Sequence, residues 1–141
     1  MNELLIDIGV NLSNNRFKDD MTDTLQRAID GNVSHIVLTG TSVAESEKVI
    51  NLCEKFKQQF PSMLYATVGV HPHNANEYNN QTSASLETLA SHNNVVAIGE
   101  TGLDFNRNFS TKSQQISAFE SQLELAAKTQ LPLFMHERDA A

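Results

Sequence analysis

Glu100 closes the apolar run Val95–Gly99, and His136 closes the run Leu131–Met135. A lone carboxylate at the end of a buried run is costly unless it meets a partner or a cation. A carboxylate and an imidazole on neighbouring strands make an ordinary divalent-metal set. A third run, Leu64–Val70, leads into His71-Pro72-His73, where the proline fixes the turn between two rings. His71 stands nearer the end of its run and is the stronger candidate for metal or phosphate contact; His73 reads equally well as a solvated loop residue. Asp104 follows Glu100 closely enough either to orient a ligand histidine or to cap its own loop. Arg107 and Arg138 offer planar donor forks that suit phosphate. Asp7, Asn11 and Thr39 stand at the ends of two earlier runs.

These residues need elements that bring them together. Five short apolar runs read as strands: Leu4–Gly9, His35–Gly40, Leu64–Val70, Val95–Glu100 and Leu131–His136. Between them lie helical patterns. Met21, Leu25, Ala28 and Ile29 recur at helical spacing, with Gly31-Asn32 as a stop. Ser42-x-x-Glu45 reads as a capping box before a stripe of Val49, Cys53, Phe56 and Phe60, closed by Pro61. A short helix carries Leu86, Leu89 and Ala90. Thr111-x-x-Gln114 opens a fourth, whose apolar face is predicted as Ile116, Phe119, Leu123, Ala126 and Ala127. Apolar strands alternating with helices predict a parallel sheet covered by helices, the first strand buried like the others. Ligand sites in such folds lie outside the carboxyl ends of the strands, so residues distant in sequence converge on one rim. His35 and His92 fall at the opposite end and are assigned no chemistry. Cys53 reads as a buried structural thiol.

The chain has 141 residues, a net charge of −7 and a single cysteine. The length suits one domain, and an unpaired cysteine suits a reducing, cytoplasmic setting. Residues 1–15 lack a basic segment followed by an apolar core, and no run approaches the roughly 20 apolar residues of a membrane span. The acidic balance argues against a protein that coats nucleic acid through a basic surface. It is compatible with an enzyme that grips one phosphate through a metal ion.

Five motifs, in order, carry a resemblance: Asp7-Ile8-Gly9-Val10-Asn11-Leu12, Thr39-Gly40-Thr41, Gly69-Val70-His71-Pro72-His73, the stretch Ile98 to Phe105, and Phe134-Met135-His136-x-Arg138-Asp139-Ala140. On these the chain resembles, from end to end, the TatD family of metal-dependent deoxyribonucleases. The resemblance implies an α/β fold, a partial (β/α)₈ TIM barrel of the metal-dependent hydrolase type with about five strands and four helices present. Residues 1–141 would be the amino-terminal part of one barrel domain. It implies hydrolysis of phosphodiester bonds in DNA, by metal-activated water attacking phosphorus. Glu100 and His136 would be metal ligands, His71 and Asp104 catalytic residues, and Asn11, His73, Arg107 and Arg138 substrate contacts. Many relatives carry a His-x-His pair at the end of the first strand, where this chain has Gly9 and Asn11. The loss of two imidazoles favours a hard cation, Mg²⁺ ahead of Mn²⁺ or Zn²⁺.

A barrel of this kind takes about 250 residues. The family's later metal-ligand histidine and its catalytic aspartate have no counterpart before Ala141. The chain alone is therefore expected to be inactive, with an unpaired edge on the fifth strand and an uncovered inner face, so that it self-associates through the open edge, rearranges to cover that face, or is marginally stable. The alternatives are another barrel metallohydrolase acting on small esters or amides, and a fragment without catalysis.

Overall fold

The computed structural model describes residues 3–141. Five strands, Leu5–Val10 (β1), Val33–Leu38 (β2), Leu64–Val68 (β3), Val95–Asp104 (β4) and Leu133–Arg138 (β5), form one sheet in the order of the sequence. Every neighbouring pair is parallel. Four helices, Met21–Asp30 (α1), Val43–Phe56 (α2), Asn80–Ala90 (α3) and Lys112–Thr129 (α4), supply the crossovers that parallel pairing requires. The helix-facing side chains of β2, β3 and β4, among them Leu38, Val68 and Ile98, pack into one core with Val49 and Cys53 of α2, Leu86 of α3 and Leu125 of α4. Burial pushes the Cys53 thiol up to about 12, which suits an inert structural cysteine.

Ser42 caps α2 by accepting from the Glu45 backbone N–H at 3.1 Å. The reciprocal bond of the expected capping box is absent, because the Glu45 carboxylate accepts from Ser13 Oγ at 2.8 Å instead. Thr111 and Gln114 do form a complete box, and so do Asn79 and Thr82 at the start of α3.

β1 departs from the expectation of burial. Leu5, Ile6 and Ile8 are each more than half exposed. β1 pairs only with β2 among the described residues, so nothing covers its outer edge. An apolar run therefore reports that a strand has a partner in the finished fold, not where that partner comes from.

The buried face of α4 also differs. It consists of Gln115, Ala118, Gln122, Leu125 and Ala126, while Ile116 and Leu123 face outward. Two amides sit in the core because each replaces a missing strand partner. Gln122 accepts from the Val70 N–H at 2.8 Å and donates to the Val70 carbonyl at 3.2 Å. Gln115 accepts from the Asp104 N–H at 2.8 Å and donates to its carbonyl at 3.0 Å. Buried backbone groups beyond the ladder need such partners. Gln122→Leu would be more apolar and a good helix former, yet it would leave the N–H and carbonyl of Val70 unpaired. We expect a loss of about 3 kcal/mol from two orphaned groups, read from the urea midpoint. An unchanged or raised midpoint would show that the amide has no structural role.

β4 runs on to Asp104 instead of stopping at Glu100, and β5 runs on to Arg138. The two stay paired beyond a register shift between Gly99 and Thr101, so Gly102 lies opposite His136 and Asp104 opposite Arg138. Gly102 has φ +137°, and a Cβ there would collide with the His136 carbonyl. Glycine lets β4 press against β5 where His136 must be held.

Candidate metal centre

His71 just beyond β3, Glu100 within β4 and His136 within β5 come together, with one ligand atom from each within 4.8 Å of the others. His136 Nδ1 lies 3.2 Å from Glu100 Oε1. The ring's other nitrogen, Nε2, is 3.0 Å from Asp104 Oδ2, and His73 Nε2 reaches the same oxygen at 3.0 Å. Backbone bonds place the cluster: the Glu100 N–H donates to the Gly40 carbonyl at 2.8 Å, and the His71 N–H to the Thr41 carbonyl at 2.9 Å.

Asp104 is fully buried. Burial alone would raise its carboxyl, but the Arg107 N–H and the rings of His136 and His73 outweigh that and hold it well below the usual carboxylate range. Its Oδ1 accepts from the backbone N–H groups of Asn106 at 3.1 Å and Arg107 at 3.0 Å. An ionised carboxylate only accepts, so both ring Nε2 atoms are donors. A neutral His136 then turns the lone pair of Nδ1 toward Glu100 Oε1. Two acceptors at that separation repel unless a positive charge lies between them, either a proton on the ring or a bound cation. Neighbouring ligands about 2.1 Å from an octahedral cation are about 3 Å apart, so the donor set fits a divalent ion. The carboxylate–imidazole–metal arrangement is the usual outer support of such sites.

His71 is different. Its Nδ1 accepts from the His73 N–H at 3.1 Å, which leaves the proton of the neutral ring on Nε2. Burial, reinforced by the neighbouring His73 and His136 rings, pushes its pKa down to about 4. The ring centroids of His71 and His136 are 4.6 Å apart. In this tautomer His71 offers a donor beside the cation site.

The structure thus gathers Glu100, His136, His71, His73 and Asp104. It does not bring Asn11, Arg107 or Arg138 into side-chain contact with them. All three are exposed around the rim. Asn11 Oδ1 accepts from Ser13 Oγ at 3.4 Å, and the Arg138 carbonyl accepts from the Phe105 N–H. His35 and His92 lie elsewhere, bonded to Ser34 and Glu54 respectively. Gly9 has φ +73°, and a Cβ there would stand 3.3 Å from the Phe134 ring, so an apolar ring faces the end of β1. Sequence reasoning missed Phe109, which is exposed with its ring 4.9 Å from that of His73. It also missed Gln115 and Gln122; their seven-residue spacing on the buried side of α4 was the available signal.

Comparison with known proteins bears directly on this rim. A family described as TatD related DNase matches residues 6–141. The chain belongs to that family. Curated TatD relatives are described as 3′-5′ ssDNA/RNA exonucleases; that of Erwinia tasmaniensis is 46% identical over 136 residues, covering 96% of this chain and 51% of its own length. That of Salmonella typhimurium is 43% identical, with 50% of its length covered. The chain spans about half the length of the curated TatD proteins it matches. A TatD-family hydrolase structure from Entamoeba histolytica superposes with a TM-score of 0.89 at 34% identity, over 99% of this chain and 52% of that one. An uncharacterized amidohydrolase structure from Saccharomyces cerevisiae gives 0.86 at 30% identity, over 99% and 49%. The five-stranded sheet is half of the TatD-type (β/α)₈ barrel.

Proposed function

We propose that residues 1–141 form the amino-terminal part of a single TatD-type barrel domain and carry part of the site of a divalent-metal-dependent exonuclease. The substrate would be single-stranded DNA or RNA degraded from its 3′ end. The observation that carries this reading is the convergence of His71, Glu100 and His136, with one ligand atom from each within 4.8 Å of the others, while Asp104 holds the far nitrogen of His136. The names of the TatD relatives support the substrate and polarity. Glu100 and His136 would hold the cation, Mg²⁺ before Mn²⁺ or Zn²⁺. When bound, the cation supplies charge stabilisation to the phosphate and lowers the pKa of a water. His71 Nε2–H donates to a non-bridging phosphate oxygen. Asp104 fixes the His136 and His73 rings. Arg107, Arg138 and Asn11 contact the strand at the rim, and the Phe109 ring offers a face on which a base stacks.

The test joins this chain to the second half of the barrel and follows end-labelled single-stranded DNA with Mg²⁺. Shortening from the 3′ end supports the reading; intact DNA under cation excess refutes it. The amidohydrolase neighbour favours a second reading, hydrolysis of a small ester or amide at the same centre. Turnover of p-nitrophenyl esters without release of nucleotides would establish it.

A cytoplasmic location accords with one buried free cysteine and with no described helix long and apolar enough to cross a membrane. The outer edge of β5, unpaired like that of β1 among the described residues, supports self-association of the 141-residue chain. In sedimentation the chain is expected to run heavier than a monomer; a monomer with a high, sharp melting transition would contradict this.

A further inference from the structure

Positive charge is scarce in this molecule, with ten lysines and arginines against seventeen carboxylates. Three of those ten, Lys18, Lys48 and Lys55, nevertheless line adjoining hollows of about 220 and 330 Å³ between the loop after β1 and helix α2. The hollows share Ser13, Asn14, Asn15 and Lys48, and so form one groove. Among the described residues, Glu45 is the only acidic one lining either part; its carboxylate accepts from Ser13 and stands 3.9 Å from Lys48 Nζ. Lys18 and Lys55 have no carboxylate within 4 Å among the described residues.

One end of the groove adjoins the backbone that anchors the metal centre, although no ligand side chain lines it. Its near end is lined by Asn11 and Thr41. Thr41 accepts the His71 backbone N–H through its carbonyl, and the adjoining Gly40 carbonyl accepts that of Glu100. From there the groove passes the asparagine-rich loop and reaches α2. Lys48 and Lys55 are seven residues apart, so they lie on one face about 10 Å from each other along the helix. Regularly spaced cations beside amide donors suit a chain of phosphates. Lys55 also lies 5.4 Å above the Phe56 ring, which adds an aromatic surface.

We propose that this groove holds the non-reacting part of a single-stranded nucleic acid, with its phosphates on Lys48, Lys55 and Lys18 and its reacting end at the metal centre. The proposal rests on the nuclease reading above and adds the path of the strand. It explains how an acidic protein retains a polyanion, since attraction is concentrated in the groove and at the Arg107 and Arg138 rim while the remaining surface repels non-productive contact.

The test is fluorescence anisotropy of a labelled single-stranded DNA octamer with this chain, in EDTA, across a salt series. Far-ultraviolet circular dichroism checks the fold of each variant. Combined Lys18→Gln, Lys48→Gln and Lys55→Gln should weaken binding about tenfold or more and reduce the log–log salt slope by about 2, the value for three lost phosphate contacts on a single strand. A control with the same charge change, Arg27→Gln, Lys57→Gln and Lys128→Gln, should keep most of the affinity. Equal binding by wild type and groove variant overturns the groove and leaves the nuclease reading standing. Equal losses in the groove and control variants also overturn it, since attraction would then be general. If the folded wild type binds no octamer at low salt, the groove proposal falls, while the nuclease reading is decided by the end-labelled DNA assay with Mg²⁺.

Discussion

Asp104→Asn is expected to lower the melting temperature of the chain and its affinity for divalent cations together. The native carboxylate accepts four bonds, two from backbone N–H groups and two from imidazoles. The asparagine amide replaces one acceptor oxygen with a donor, so its nitrogen must face either the backbone pair or the ring pair. Orphaning donors in a fully buried charged network costs about 3 kcal/mol, which is roughly 10 °C in a domain of this size. The second effect follows from the tautomer. Once Nε2 of His136 loses its acceptor, the ring proton is free to move to Nδ1, the atom that would bind the cation. Loss of such an outer partner lowers metal affinity by about 10- to 100-fold. Thermal melts in EDTA and calorimetric Mn²⁺ titration measure the two effects separately. Reduced stability with unchanged Mn²⁺ affinity would make Asp104 purely structural.

Glu100→Gln separates chemistry from folding. Glutamine has the shape of glutamate, and Glu100 is partly exposed, so the melting transition should stay within about 1 kcal/mol of wild type. The amide removes the negative charge that faces His136. In a complete barrel carrying this chain, release of nucleotides from single-stranded DNA should fall about a thousandfold, equivalent to about 4 kcal/mol of lost transition-state stabilisation. Activity close to wild type would exclude Glu100 as a ligand and displace the cation from this rim.

Much of this site was legible because parallel strands have a direction. Each apolar run ends on the same side of the sheet, so Glu100, His71 and His136 could be set on one rim before any coordinates. The strand boundaries were less legible. The ladder continues past Glu100 because Gly102 admits the close approach of β5, and this puts His136 within a strand instead of at its end and Arg138 in the strand instead of beyond it. The role of Asp104 stayed open between orienting a histidine and capping a loop, and the structure has it do both, one oxygen for each task. Helix α4 misled because Ile116 and Leu123 are apolar and correctly spaced, whereas the buried positions include glutamines. Hydrophobic periodicity carries no record of backbone groups at Val70 and Asp104 that need an amide partner. The exposure of β1 was hidden for a related reason: its residues suit a neighbour that the described strands do not provide.

The central claim, that Glu100 and His136 bind a divalent ion beside His71, is tested most directly by electron paramagnetic resonance of Mn²⁺ titrated into this chain. Saturable loss of the free-ion signal is expected for the wild type, abolished by either Glu100→Gln or His136→Ala in variants that retain the fold. Mn²⁺ uptake unchanged by both substitutions, or absent from the folded wild type, would contradict it.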